Sequence, residues 1–182
     1  VLSIGVDIGG TKVAAGVVDE DGEILRHLVR PTPSRSPEAV ENAIVEVVDS
    51  LSDGLPVKSA GIGAAGWVDT EQALVRFSPH LAWRNEPLRD RLSERIDLPV
   101  IVDNDANAAA WGEYRHGAGR DHDDMVLVTV GTGVGVGIIS AGRPLAGASH
   151  GELGHARLAR APGDRWPGIC PFHGDCVEGL VS

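Results

Sequence analysis

The sequence predicts an α/β fold, on three observations. Val6-Asp7-Ile8-Gly9-Gly10-Thr11-Lys12-Val13 and Val130-Gly131-Thr132-Gly133-Val134-Gly135-Val136-Gly137 each join two apolar runs through a glycine turn. A further turn follows each, at Asp21-Gly22 and at Ala141-Gly142, so both copies read as strand, turn, strand, turn. The first copy then continues as strand and helix segments in alternation, the order expected of an α/β sheet.

Residues 2–7, 12–18 and 23–29 run or alternate apolar between glycine turns and predict a three-stranded meander. Pro31-Thr32-Pro33-Ser34-Arg35-Ser36-Pro37 is a loop, and Ser36-Pro37 suits a helix start, with Ser as N-cap and Pro at the first helical position. Val40, Ile44, Val47 and Leu51 recur at helical spacing, which predicts an amphipathic helix over about 37–52. Val57 to Ala64 reads as a Gly/Ala-rich strand, followed by a loop at Gly66-Trp67. Glu86-Pro87 opens a second helix carrying Leu88, Leu92 and Ile96. Pro99-Val100-Ile101-Val102 reads as a fully apolar, buried strand. Asn104 to His116 is a third helix, stopped by Gly117-Ala118-Gly119. After the polar run Arg120-Asp121-His122-Asp123-Asp124 the meander begins again over 125–130, 134–140 and a short strand near 143–146. No helix follows this second meander to cover its sheet. The expected organisation is therefore one complete domain, residues 1–119, and the start of a second, residues 120–182, cut short.

Bulk properties narrow the function classes. At 182 residues the chain is long enough for one full domain and part of another. A net charge of −10 argues against a nucleic-acid partner. No apolar run approaches the roughly 20 residues that span a bilayer. Val1-Leu2-Ser3-Ile4-Gly5 lacks a basic segment and reads as a first strand, not a signal peptide. The two cysteines, Cys170 and Cys176, do not make a disulfide scaffold, and a reducing cytoplasm is expected.

Glycine lets backbone N–H groups crowd an anion without a Cβ in the way, and Thr adds a hydroxyl donor. Two such turns facing each other suit a polyphosphate, hence a nucleotide-dependent phosphoryl transferase. Asp7, at the end of the first strand, suits Mg²⁺ or a metal-bound water beside phosphate, or else closes an Asx turn. Lys12 is either a phosphate partner or a solvated turn residue. Asp103-Asn104-Asp105-Ala106-Asn107 follows a strand and opens a helix, where ligands sit in open α/β sheets. A carboxylate there suits a base taking the proton of a substrate hydroxyl, with Asn104 orienting the same substrate. Asn and Asp are also preferred N-caps, but one cap does not require three polar side chains. Cys170-x₂-His173-x₂-Cys176 places three metal-ligand types within seven residues, with His155 as the natural fourth. Tetrahedral zinc takes this set. The alternatives are a Cys170–Cys176 disulfide or free thiols.

With these motifs in place, the chain resembles the ROK sugar kinases, part of the actin-like, ribonuclease-H-like ATPase superfamily. Val130 to His155 is similar to the family signature throughout, with Gly133, Gly135, Gly137, Gly147, Gly151, Gly154 and His155 in position. The resemblance covers essentially the whole chain. It implies ATP-dependent phosphorylation of a hexose, glucose first, with a fructokinase or mannokinase, a sugar-sensing repressor or an inert fragment as alternatives. The chain begins directly on the first strand and is acidic, which speaks against the repressor. The resemblance makes Asp105 the general base and, with Asn104, Glu152, His155 and Glu178, a sugar contact. Asp7, Gly9, Gly10, Thr11 and Lys12 match the first phosphate loop, and Thr132 and Gly133 the second. His155, Cys170, His173 and Cys176 match ligands of a structural Zn²⁺. ATP and Mg²⁺ are the implied cofactors, a hexose the partner, and a homo-oligomer the full-length state.

The resemblance is split by segment. Residues 1 to about 120 look like bacterial glucokinases, in Gly61-Ile62-Gly63-Ala64-Ala65-Gly66, Trp83-Arg84-Asn85-Glu86-Pro87-Leu88 and Asn104 to Glu113. From about Val126, and above all in Pro167 to Cys176, the chain looks more like ROK fructokinases. His80 stands where many relatives have an asparagine near the sugar, and no role is carried onto it. Val136 replaces a frequent glycine of the second turn. Family members continue well beyond Ser182, so the expectation is a truncated chain.

Overall fold

A computed structural model describes residues 1–33, 36–69, 71, 74–145 and 152–182. Gly147 and Gly151 of the signature lie outside the described residues, as do part of the 31–37 loop and the end of the strand expected near 143–146. The chain divides into two compact units, Val1–Asp105 and Ala106–Ser182.

The first unit is built on a five-stranded sheet. Its strands are β1 (Leu2–Ile8), β2 (Lys12–Val18), β3 (Ile24–Pro31), β4 (Val57–Ala64) and β8 (Val100–Asn104), in the order β3-β2-β1-β4-β8. The meander β1-β2-β3 is antiparallel, whereas β4 pairs parallel to β1 and β8 parallel to β4. Side chains alternate across a strand, so Ile4, Val6 and Ile8 of β1 and Val13, Ala15 and Val17 of β2 are buried together on one face. Helix α1 (Pro37–Ser52) turns Val40, Ile44, Val47, Val48 and Leu51 into this core. Ser36 caps it as expected, accepting the Ala39 N–H at 3.1 Å, with Pro37 in the first turn. The short helix α2 (Leu88–Ser93) adds Leu88 and Leu92.

Three expectations are corrected here. The loop expected at Gly66-Trp67 gives way at Trp67 to strands: β5 (Trp67–Asp69), β6 (Leu74–Phe77) and β7 (Arg84–Glu86) form a small antiparallel sheet. Its strands are three or four residues long, too short for alternation to declare them. Ile96 lies beyond α2, yet it is buried, because a further turn carries it on, with the Ile96 N–H bonded to the Leu92 carbonyl at 2.8 Å. Strand β8 is not buried on both sides. It is the last strand of the sheet, and Ile101 is 68% exposed between buried Val100 and Val102.

Helix α3 (Asp105–His116) follows β8 without a loop, so Asn104 closes the strand rather than opening the helix. The second unit holds the rest of α3 and an antiparallel sheet of β9 (Met125–Val130), β10 (Val134–Ser140) and β11 (Arg143–Pro144). Gly137 lets α3 approach β10, since a Cβ there would meet the Ala106 carbonyl and lie 2.5 Å from Ala110 Cβ. The β10–β11 turn uses Ala141 and Gly142 at positive φ, with Asp124 accepting from the Ser140 hydroxyl and the Ala141 N–H. A 3₁₀ helix (Glu152–His155) and α4 (Val177–Val181) complete the unit. Among the described residues no helix is long and apolar enough to cross a membrane.

Candidate functional site

Parallel pairing sets the geometry of the first unit's site. Gly63 of β4 is in register with Asp7 of β1 on one side and Asp103 of β8 on the other; Ala64 likewise joins Ile8 and Asn104. Asp7, Asp103, Asn104 and Asp105 therefore gather at the carboxyl ends of three adjacent parallel strands, the edge where open α/β sheets take ligands. Asp7 points away from the face that buries Ile4, Val6 and Ile8. Its carboxyl is held above the usual aspartate range, first by burial and then by the negative charge of Asp105; Lys12 opposes the rise. The two carboxylates thus feel one another.

The first glycine turn is tight. The Gly9 N–H donates to the Lys12 carbonyl at 3.0 Å, and the Thr32 hydroxyl donates to the Gly9 carbonyl at 2.7 Å. The Thr32 N–H also meets the Thr11 carbonyl at 3.0 Å. Asn104 is buried, and its side-chain amide donates to the Gly66 carbonyl at 2.9 Å. Gly66 has φ +122, and a Cβ on it would strike the Phe77 carbonyl, so only glycine serves there.

His80, which the sequence left without a role, is brought to this turn. Its side chain packs on Gly10, where an added Cβ would lie 2.5 Å from His80 Cβ. The loop is staged by Arg84, whose guanidinium donates to the carbonyls of Ser78 (2.8 Å), Leu81 (3.2 Å) and Trp83 (2.6 Å) and lies 4.1 Å above the Phe77 ring. No local pattern announces the contact, because it is made between distant chain segments.

The second unit holds the other glycine turn and the Cys/His tail. In the turn the Gly131 N–H donates to the Gly133 carbonyl at 2.9 Å, with Thr132 exposed at the tip. Glu178 reaches it from α4, accepting the Val134 N–H at 3.0 Å. His155, Cys170, His173 and Cys176 converge, their donor atoms all within 4.8 Å of one another. His155 Nδ1 is 3.7 Å from both sulfurs, and His173 Nδ1 is 3.9 Å from Cys170 Sγ. A tetrahedron with bonds of about 2.3 Å to sulfur and 2.0–2.1 Å to nitrogen has donor separations of about 3.3–3.8 Å, so the set fits zinc. Both cysteines are free and buried, which sets the disulfide alternative aside. Burial is the main cause raising the Cys176 thiol, and a cation would oppose it. With Nδ1 turned to the sulfurs, His155 presents Nε2 toward the Glu152 carboxylate, 3.9 Å away.

The ROK family pattern matches residues 3–182, nearly the entire chain. The chain belongs to the ROK family. Within this family it is 49% identical over 160 residues to a glucokinase of Streptomyces coelicolor, a match covering 86% of the chain and 50% of that protein. It is 36% identical over 183 residues to a putative fructokinase of Bacillus subtilis, covering 98% of the chain and 59% of the relative. Among solved structures, a ROK family glucokinase from Streptomyces griseus in complex with glucose and AMPPNP superposes with a TM-score of 0.83 at 48% identity, over 98% of the chain and 54% of its own. The fold is accordingly that of the ROK sugar kinases, the actin-like ATPase fold. The chain spans about half the length of the curated relatives it matches.

Proposed function

We infer that the protein transfers a phosphoryl group from ATP to a hexose, with glucose the favoured substrate. The observation that carries this reading is the gathering of Asp7, Asn104 and Asp105 beside a glycine turn, at the carboxyl ends of adjacent parallel strands. Asp105 takes the proton of the attacking sugar hydroxyl, and that oxygen attacks the γ-phosphate in line. Asp7 would hold Mg²⁺ or its water, which would neutralise phosphate charge; Gly9, Gly10, Thr11 and Lys12 steady the phosphates, joined by Thr132 and Gly133. Asn104, Glu152, His155 and Glu178 hold the sugar. Zn²⁺ on His155, Cys170, His173 and Cys176 would be structural, since four protein ligands leave no open position. Residues 1–119 form one lobe and residue 120 onward the start of the other. The full-length protein works as a homo-oligomer in the cytoplasm, where its thiols stay reduced.

Support comes from the glucokinase relatives and from the S. griseus glucokinase seen with glucose and AMPPNP. A fructokinase is the second reading. The match to the putative fructokinase of B. subtilis covers 98% of the chain, against 86% for the S. coelicolor glucokinase.

Rates measured side by side on glucose, fructose and mannose separate the two; glucose is expected to give the highest kcat/KM. Asp105→Asn should keep sugar binding, read by calorimetry, and lose phosphorylation by a factor of about 10²–10⁴. Near-normal turnover in that variant would overturn the assignment of the base.

A further inference from the structure

Val134 opens β10 directly after Gly133, and the Cys/His loop grips it from two sides. Its N–H donates to Glu178 Oε2 at 3.0 Å. Its carbonyl lies so close to Gly154 that a Cβ on that glycine would run into it. The same Glu178 oxygen covers Gly133, standing 2.6 Å from where a Cβ would be. Both gripping residues adjoin the ligand cluster: Gly154 precedes His155, and Glu178 is the second residue of the helix that Cys176 caps.

The two arms are tied to each other as well. The Val177 N–H donates to the Ala156 carbonyl at 2.9 Å, and the Ile169 N–H to the Gly179 carbonyl at 2.9 Å. Glu178 Oε1 is 4.0 Å from His155 Nδ1. Two thiols and two imidazoles attract one another only weakly without a cation, whereas an ion binding all four fixes the separation of the segments that carry them. Those segments bond the N–H of Val134 on one side and pack against its carbonyl on the other.

We propose that the Cys/His site is a clamp on the second glycine turn: an ion held by His155, Cys170, His173 and Cys176 sets the backbone of Gly133-Val134 through Gly154 and Glu178. Glu178 is the positioning residue of this clamp. A consequence, which rests on the phosphate reading of the turn given above, is that metal loading tightens the turn's hold on a polyphosphate anion.

The test is hydrogen exchange on the purified protein, Zn²⁺-loaded and chelated, with tripolyphosphate binding measured on both forms. Chelation should speed exchange at Val134 by about tenfold or more, the loss of one charge-assisted hydrogen bond, while amides within the β9–β10 ladder keep their protection. Glu178→Ala should show fast Val134 exchange whether or not Zn²⁺ is bound. Glu178→Gln, which keeps an acceptor oxygen, should restore much of the response to metal. Unchanged Val134 exchange on chelation overturns the clamp. So does a general loss of protection across β9 and β10, which would make the ion a support of the whole unit. A Val134 response without tripolyphosphate binding in either form upholds the clamp and instead removes the phosphate reading of the turn.

Discussion

His80 lies against Gly10 so closely that a methyl group on the glycine would stand 2.5 Å from His80 Cβ. The obstacle is the root of a side chain, which cannot swing away as a side-chain tip can. Gly10→Ala should therefore displace the 78–83 loop and cost about 1–3 kcal/mol in denaturant unfolding. His80→Ala leaves the Cβ and should rescue little; His80→Gly removes it and should recover most of the loss in the double variant. Additive costs for Gly10→Ala and His80→Gly would show that the two positions are not coupled.

The raised carboxyl of Asp7 sets a pH dependence. In the fold this group holds its proton more tightly than in the unfolded chain, because burial and Asp105 disfavour the charge. Its contribution to stability is present below the unfolded pKa and is lost as pH rises through the higher folded value. Asp7→Asn stays neutral and avoids that loss. The melting temperature of Asp7→Asn should rise relative to the parent as the pH climbs from about 4, the unfolded aspartate value. A difference that shrinks over the same range would contradict the sign argued here. Mg²⁺ should narrow the gap if it binds at Asp7, since a cation offsets the same repulsion.

The Cys/His cluster predicts a stoichiometric metal. One Zn²⁺ per chain is expected by elemental analysis. Co²⁺ in its place should give the visible bands of a tetrahedral site and a sulfur charge-transfer band. Cys176→Ser removes one of the two sulfurs and should weaken metal binding by at least about tenfold, and chelation should lower the melting temperature of the parent more than that of the variant. A Co²⁺ spectrum of octahedral type would exclude the S₂N₂ set.

Ser36 caps α1 with a single hydrogen bond to the Ala39 N–H. Ser36→Ala should cost about 1 kcal/mol, and Ser36→Asp should cost little or nothing, since aspartate caps as well as serine. Equal stability of Ser36→Ala and the parent by urea titration would mean that another group satisfies the N–H.

The sequence alone determined the elements whose signals are local. Helix α1 runs from Pro37 to Ser52, the span expected from the Ser36-Pro37 start and the apolar spacing behind it. Strand β4 covers Val57–Ala64, and both glycine-turn meanders form. The convergence of His155, Cys170, His173 and Cys176 was legible because a metal site needs particular residue types, and three of them lie within one short loop. What the tertiary structure decided are relations between distant segments. The small sheet β5-β6-β7 has strands too short to carry a period, and it exists through cross-strand pairing. Ile101 reads as buried by its apolar neighbours, but the position of β8 in the sheet exposes it. His80 meets Gly10, and Glu178 meets Val134, through contacts that close only when the chain has folded. Propensity and spacing act over a few residues; strand order and side-chain packing act across the whole unit, and they set where a named residue points.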